Sequence, residues 1–64
     1  MLSEAYKDAL FRTECKLSEA WSNLEHAKER VVDYDDDVCK QIHEVQQSVE
    51  KLMRHIERLT EDYS

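Results

Sequence analysis

An unbroken heptad spacing of apolar residues runs through residues 38–63, and it constrains the fold more than any other feature. The steps alternate between four and three residues, so the side chains form one stripe along a helix. A single helix cannot bury such a stripe, so the pattern predicts a partner helix. The stripe consists of two rows. The isoleucine row comprises Ile42, Val49, Ile56 and Tyr63, and the valine row comprises Val38, Val45, Leu52 and Leu59.

A poorer repeat with the same spacing runs through residues 6–34. Small residues in one of its rows let helix backbones approach closely, but they bury less apolar area. We therefore predict one coiled-coil segment over 1–64, with a weaker seam at 6–34 and a stronger seam at 38–63, and all four rows in an oligomer interface. The leucine row comprises Leu10, Leu17, Leu24 and Val31, and the alanine row comprises Tyr6, Thr13, Ala20, Ala27 and Tyr34.

The two repeats meet near residues 34–42, where two steps of four follow one another. Such a stutter unwinds a supercoil locally but keeps the stripe on one side of a continuous helix. The 64 residues include no glycine and no proline, which argues against a chain with many turns. β-Branched residues in the isoleucine row and leucines in the valine row favour a coiled coil of two parallel helices. Our first prediction is therefore an all-α fold, a single long helix that forms a parallel dimer.

Four aspartates around the junction support an alternative fold, an antiparallel helical hairpin that turns at 33–36. Asp33 and the run 35–37 are suited to the N-terminus of a second helix, and Lys28 and Arg30 to the C-terminus of a first. The absence of glycine or asparagine at the first helix's end argues against this turn. The sequence leaves both folds open.

Neutral residues flank the strong seam. One interpretation is that a further helix buries these residues. The other is that the apolar seam is stable without charged residues beside it, and we favour this one because Gln, Ser and Thr side chains do not demand burial. Met53 is the exception. The neutral row comprises Cys39, Gln46, Met53 and Thr60, and the opposite flank comprises Gln41, Ser48, His55 and Asp62.

Three larger side chains lie outside the seam and are candidate partner contacts: Phe11, Trp21 and Met53. Phe11 falls on the outward face of the predicted helix, whereas Trp21 flanks the seam. Exposed aromatic residues on a coil mark partner surfaces. We expect Trp21 instead to lean over the alanine row and to fill the space beside Ala20.

Composition excludes several functions. The net charge is −6, with nine basic and 15 acidic residues, and no basic face is evident, so binding to nucleic acid is not expected. No apolar run is long enough for membrane insertion. Cys39 and His43 share a helix face at a spacing that can bind a metal ion, but their predicted exposure argues for two unliganded side chains. We expect no cofactor, no metal and no catalytic residue, hence no enzyme.

These observations predict a non-enzymatic oligomerisation module, a homo-oligomer, within a larger chain. The heptad spacing resembles that of coiled-coil rods in cytoskeletal, motor, tethering and scaffold proteins, a resemblance that they all share. The alternative is a recognition module whose side surface binds a second protein, an adaptor or a small GTPase. Two cysteines are too few for a disulfide framework, so we expect a cytoplasmic protein.

Overall fold

The computed structural model describes residues 3–61 in full and the backbone of Asp62, and within this range the regular structure is helical. Helix α1 spans Glu4–Val31 and helix α2 spans Asp36–Asp62. The helices pack against each other along their length, and the Cα trace measures 49 × 15 × 10 Å. The chain is thus a helical hairpin. No helix in the described range is both long and apolar enough to cross a membrane.

Helix α1 begins at a polar cap and ends with basic residues. The Ser3 side chain accepts a hydrogen bond of 3.1 Å from the Tyr6 amide, which satisfies one of the free N–H groups of the first turn. Lys28 and Arg30 lie in the last turn, where positive charge interacts favourably with the helix dipole. The predicted helix end in this region is therefore present.

The turn between the helices occupies residues 32–35 and uses no left-handed residue. Val32 keeps right-handed helical angles, and the Val31 carbonyl accepts hydrogen bonds of 2.9 Å from the amides of both Tyr34 and Asp35. The Asp35 carboxylate then accepts from the amides of Asp37 at 3.0 Å and Val38 at 3.2 Å. The helix therefore ends without the glycine or asparagine whose absence counted against this turn, because two amides share one carbonyl and an aspartate caps the next helix.

The structure adopts the alternative fold and does not confirm the single long helix with a stutter near 34–42. The helix stops at Val31 because the capping of α2 by Asp35 competes with its continuation. The predicted turn at 33–36 lies within one residue of the observed one. Tyr34 was placed in the seam and is instead 89% exposed in the turn.

Loss of the α2 cap gives a first test of this turn. We expect Asp35→Ala to lower the free energy of unfolding by about 0.5–2 kcal/mol, because two amides of the first turn lose their acceptor. Asp35→Asn should retain most of the stability, since an amide oxygen also caps. Urea unfolding followed by circular dichroism measures the loss, and Asp33→Ala in the same turn is the matched control. Equal losses at the two positions would contradict the capping role.

The helices contact each other through a narrow strip. Among hydrophobic side chains of the described residues, Leu10 and Ile56 alone are classed as buried, at 7% and 4% exposure. The rest of the leucine and isoleucine rows within this range is half-buried. A chain of this size gains limited stability from so small a core. Much apolar surface therefore remains accessible on the hairpin.

The strip is rotated relative to the predicted seam. The isoleucine row faces α1 as expected, but its second contacting row is the neutral row and not the valine row. Val38, Val45 and Leu52 are exposed at 39%, 49% and 46%, whereas Leu59 is half-buried. Tyr63 lies outside the described residues. Val38, Val45 and Leu52 are therefore not part of the contact within the hairpin, and the predicted role of the valine row between chains stays a prediction.

Candidate interaction surfaces

A polar network crosses the helix interface at Gln46, which is 2% exposed. The amide nitrogen of Gln46 donates to the Glu25 carboxylate at 2.9 Å and to the Trp21 carbonyl at 3.4 Å. Its amide oxygen accepts from the Lys28 ammonium group at 3.1 Å, and Lys28 lies 3.4 Å from the Glu25 carboxylate. Both ends of the Gln46 amide are thus paired, so this side chain is buried without an unmade hydrogen bond.

The same network lowers the pKa of Glu25 below its ordinary value. The hydrogen bond from Gln46 is the largest cause of the lowered pKa, and desolvation, the next largest effect, opposes it. The hydrogen bond and positive charge of Lys28 and the charge of His43 each lower the pKa by a smaller amount. A carboxyl group whose folded pKa is lowered stabilises the fold at pH values above its unfolded pKa. That contribution is lost as the pH falls through the folded pKa.

The lowered pKa of Glu25 predicts a hairpin that is less stable in acid. We expect stability to fall as the medium is acidified through the titration of Glu25, and Glu25→Gln to remove that component of the pH dependence. Carbon-13 NMR of the Glu25 carboxyl group should show its midpoint moving up in Gln46→Ala, since the strongest partner is gone. An unchanged midpoint in that variant would refute the assigned cause.

Trp21 and Met53 lie together on the network side of the hairpin. They line a small open groove of about 220 Å³ with Ser18 and Glu50, and both are half-buried. Trp21 therefore leans toward α2 and away from the alanine row, contrary to the expectation that it fills the space beside Ala20. Its indole Nε1 is buried without a hydrogen-bond partner.

A larger open groove of about 570 Å³ near the turn contains Cys39 and His43. Two lysines, Lys28 and Lys40, line the same groove together with the carboxylates of Asp36 and Glu44, so its lining is of mixed charge. No cluster of three or more potential metal ligands occurs among the residues that the structure describes. Cys15 and Cys39 are both free thiols, the first exposed and the second half-buried.

The opposite side of the hairpin carries the alanine and valine rows. In α1 the row that contains Trp21 lies on one flank of the leucine row. In α2 the row that contains Gln46 lies on the equivalent flank of the isoleucine row, and both of these rows pack across the interface. In an antiparallel pair of right-handed helices, equivalent flanks lie on the same side of the pair. The two remaining rows therefore share one side. We call this side the open apolar face, and its residues are Thr13, Ala20, Ala27, Val38, Val45 and Leu52.

The predicted interface residues thus separate into three environments. The buried ones are Leu10 and Ile56. The half-buried ones are Leu17, Ala20, Leu24, Ala27, Val31, Ile42, Val49 and Leu59. The exposed ones are Tyr6, Thr13, Tyr34, Val38, Val45 and Leu52. Of the candidate partner contacts, Phe11 is 64% exposed, and it lies outside the open apolar face.

Comparisons of this chain with protein-family models, with curated proteins and with solved structures gave no match.

Sequence reasoning missed the polar network. The lack of charge in the neutral row was a signal of burial, and its interpretation as a flank without a contact is wrong at Gln46. Glu25 and Lys28 gave no signal of their own, because charged residues three apart on a helix are usually a solvated pair.

Proposed function

We propose that this chain is a non-enzymatic oligomerisation module of a larger structural, scaffold, motor or tethering protein. The observation that supports the proposal is the small core of the hairpin beside a regular array of accessible apolar side chains. Association with another helical surface would bury that array, as oligomerisation does for many chains of this size. The proposal includes a cytoplasmic location, which the two free thiols of Cys15 and Cys39 support.

Catalysis is not part of the proposal. The two grooves are open to solvent, and the carboxylate with a lowered pKa, Glu25, is paired with Gln46 and Lys28. Its environment lowers the pKa and so favours the ionised form, whereas general acid catalysis requires a raised pKa. The network therefore serves to hold the two helices in register.

The molar mass in solution tests the proposal. We expect light scattering to give at least twice the chain mass of 7.7 kDa at micromolar to millimolar concentration. Small-angle scattering on the same samples separates the assemblies, since hairpins paired side by side keep the 49 Å length of one hairpin and a dimer of continuous helices is about twice as long. A monomer over the whole concentration range would contradict the proposed function.

A second candidate function is a recognition module for another protein, such as an adaptor or small GTPase. Phe11, at 64% exposure, favours it, because a module that only self-associates through the open apolar face has no use for an accessible phenylalanine elsewhere. If the function is recognition, Phe11→Ala weakens partner binding and leaves the molar mass of the free chain unchanged.

A further inference from the structure

The open apolar face combines a ridge and a groove. Its α2 side carries Val38, Val45 and Leu52, which are all exposed, and its α1 side carries the small side chains of Ala20 and Ala27. Larger residues on one helix beside alanines on the other give a surface that is high on one side and low on the other. A second copy in the matching orientation places its ridge over this groove and its groove over this ridge. Such a contact is isologous, with the same surface used by both chains.

Charge is distributed so that a second copy can approach. The chain holds 15 acidic residues, yet none of the six residues of the open apolar face is acidic. The positions that border the face are also free of acid as far as His55, and the next position of the α2 border, Asp62, is acidic. These bordering residues are Lys16, Asn23 and Arg30 in α1 and Gln41, Ser48 and His55 in α2. Between the aspartates of the turn and Asp62, two copies with net charge −6 therefore meet without placing carboxylates of the face or of its border against each other.

The size of the hairpin also suits a dimer. The Cα extents of the whole hairpin, 49 by 15 Å, outline one side of about 700 Å², close to the ~800 Å² that each partner buries in a standard interface, and the open apolar face occupies the middle of that side. The contact completes four-helix packing, in which each helix uses two adjacent rows toward the centre. A second copy thus supplies the apolar partner surface that one hairpin lacks.

We propose that two copies of this hairpin associate through their open apolar faces, with α2 of each copy lying over α1 of the other, to form an antiparallel four-helix bundle. The proposal rests on the proposed oligomerisation function and assigns its surface. The two-fold axis then runs along the helices, so both turns lie at the same end. The aspartates at 33 and 35–37 of the two copies repel each other there, and added salt therefore tightens the dimer.

Sedimentation equilibrium of the full chain tests the surface. We expect Val45→Lys and Leu52→Lys each to raise the dimer dissociation constant at least about tenfold, because a charge enters the apolar contact. Phe11→Lys is the matched control on an exposed apolar residue outside the face, and it should change the constant less than about twofold. Circular dichroism confirms that each variant keeps its helices.

A distance measurement keeps the proposal testable even where a variant loses its helices. Spin labels at Asp33→Cys, in a chain that also carries Cys15→Ser and Cys39→Ser, should lie within about 25 Å of each other across the dimer. A separation of about 40 Å places the turns at opposite ends and overturns the arrangement.

The outcomes separate the two proposals. A dimer whose dissociation constant is unchanged by Val45→Lys and Leu52→Lys overturns the assigned face but leaves the oligomerisation function standing. A chain that stays monomeric at millimolar concentration overturns both, and leaves the face to a different protein.

Discussion

Replacing Ile56 by alanine is expected to lower the free energy of unfolding by about 2–5 kcal/mol, a large share of the stability of so small a chain. Ile56 is 4% exposed, the most buried hydrophobic side chain among the described residues. Its truncation removes apolar contacts and leaves a cavity that two straight helices cannot close without changing their separation. Leu17→Ala should cost less, because Leu17 is only half-buried in the same interface.

Urea unfolding at one fixed chain concentration gives these values, since association alters apparent stability. Phe11→Ala is the exposed control and should stay within about 0.5 kcal/mol of the parent chain. A loss at Leu17 equal to or greater than that at Ile56 would show that the core is centred elsewhere along the hairpin.

Removal of the Gln46 side chain should have the second large effect. We expect Gln46→Ala to cost roughly 1.5–3 kcal/mol, because hydrogen bonds to two charged groups are lost from the interface between the helices. Part of this cost belongs to the pairing with Glu25, so a double-mutant cycle of Gln46→Ala and Glu25→Ala should give a coupling energy that differs from zero. Additive losses would mean that the two side chains do not act together.

Gln46→Glu provides a matched variant of nearly the same size. Its carboxylate can still accept from Lys28, but it meets the carboxylate of Glu25 where the parent amide donates a hydrogen bond. We expect this variant to be destabilised at neutral pH and partly restored by acidification, as one carboxyl group regains a proton and can donate. The parent chain has the opposite pH dependence, so the two titrations make a sharp contrast.

The sequence predicted helical structure, and its alternative interpretation, the hairpin, gave the approximate place of the turn. The leading prediction of one continuous helix assigned the partner helix to another chain. Aspartates 33 and 35–37 marked the start of α2 correctly because capping is a local interaction. The heptad spacing of apolar residues, in contrast, is the same whether the stripe packs against a helix of its own chain or against a helix of another chain. The in-phase repeats therefore favoured a continuous helix without excluding the hairpin.

The rotation of the interface lay beyond sequence reasoning for a related reason. Apolarity alone ranks Val45 and Leu52 above Gln46 as contact residues. The structure reverses that order because Gln46 finds Glu25 and Lys28 across the interface, a pairing that depends on the register of two helices. Periodicity within one helix contains no information on that register. The open apolar face is consequently visible only once the hairpin is known.

The nearly equal helix lengths have a consequence for how the hairpin connects to other protein. Helices of 28 and 27 residues bring Glu4 and Asp62 back to the same end, about 40 Å from the turn. Polypeptide fused before Glu4 and polypeptide fused after Asp62 would leave side by side, about one helix spacing apart. The hairpin then projects as a finger with an acidic tip, and a pull on both attachments would separate the helices from their open end, beginning at Leu10 and Ile56 and reaching Gln46 later.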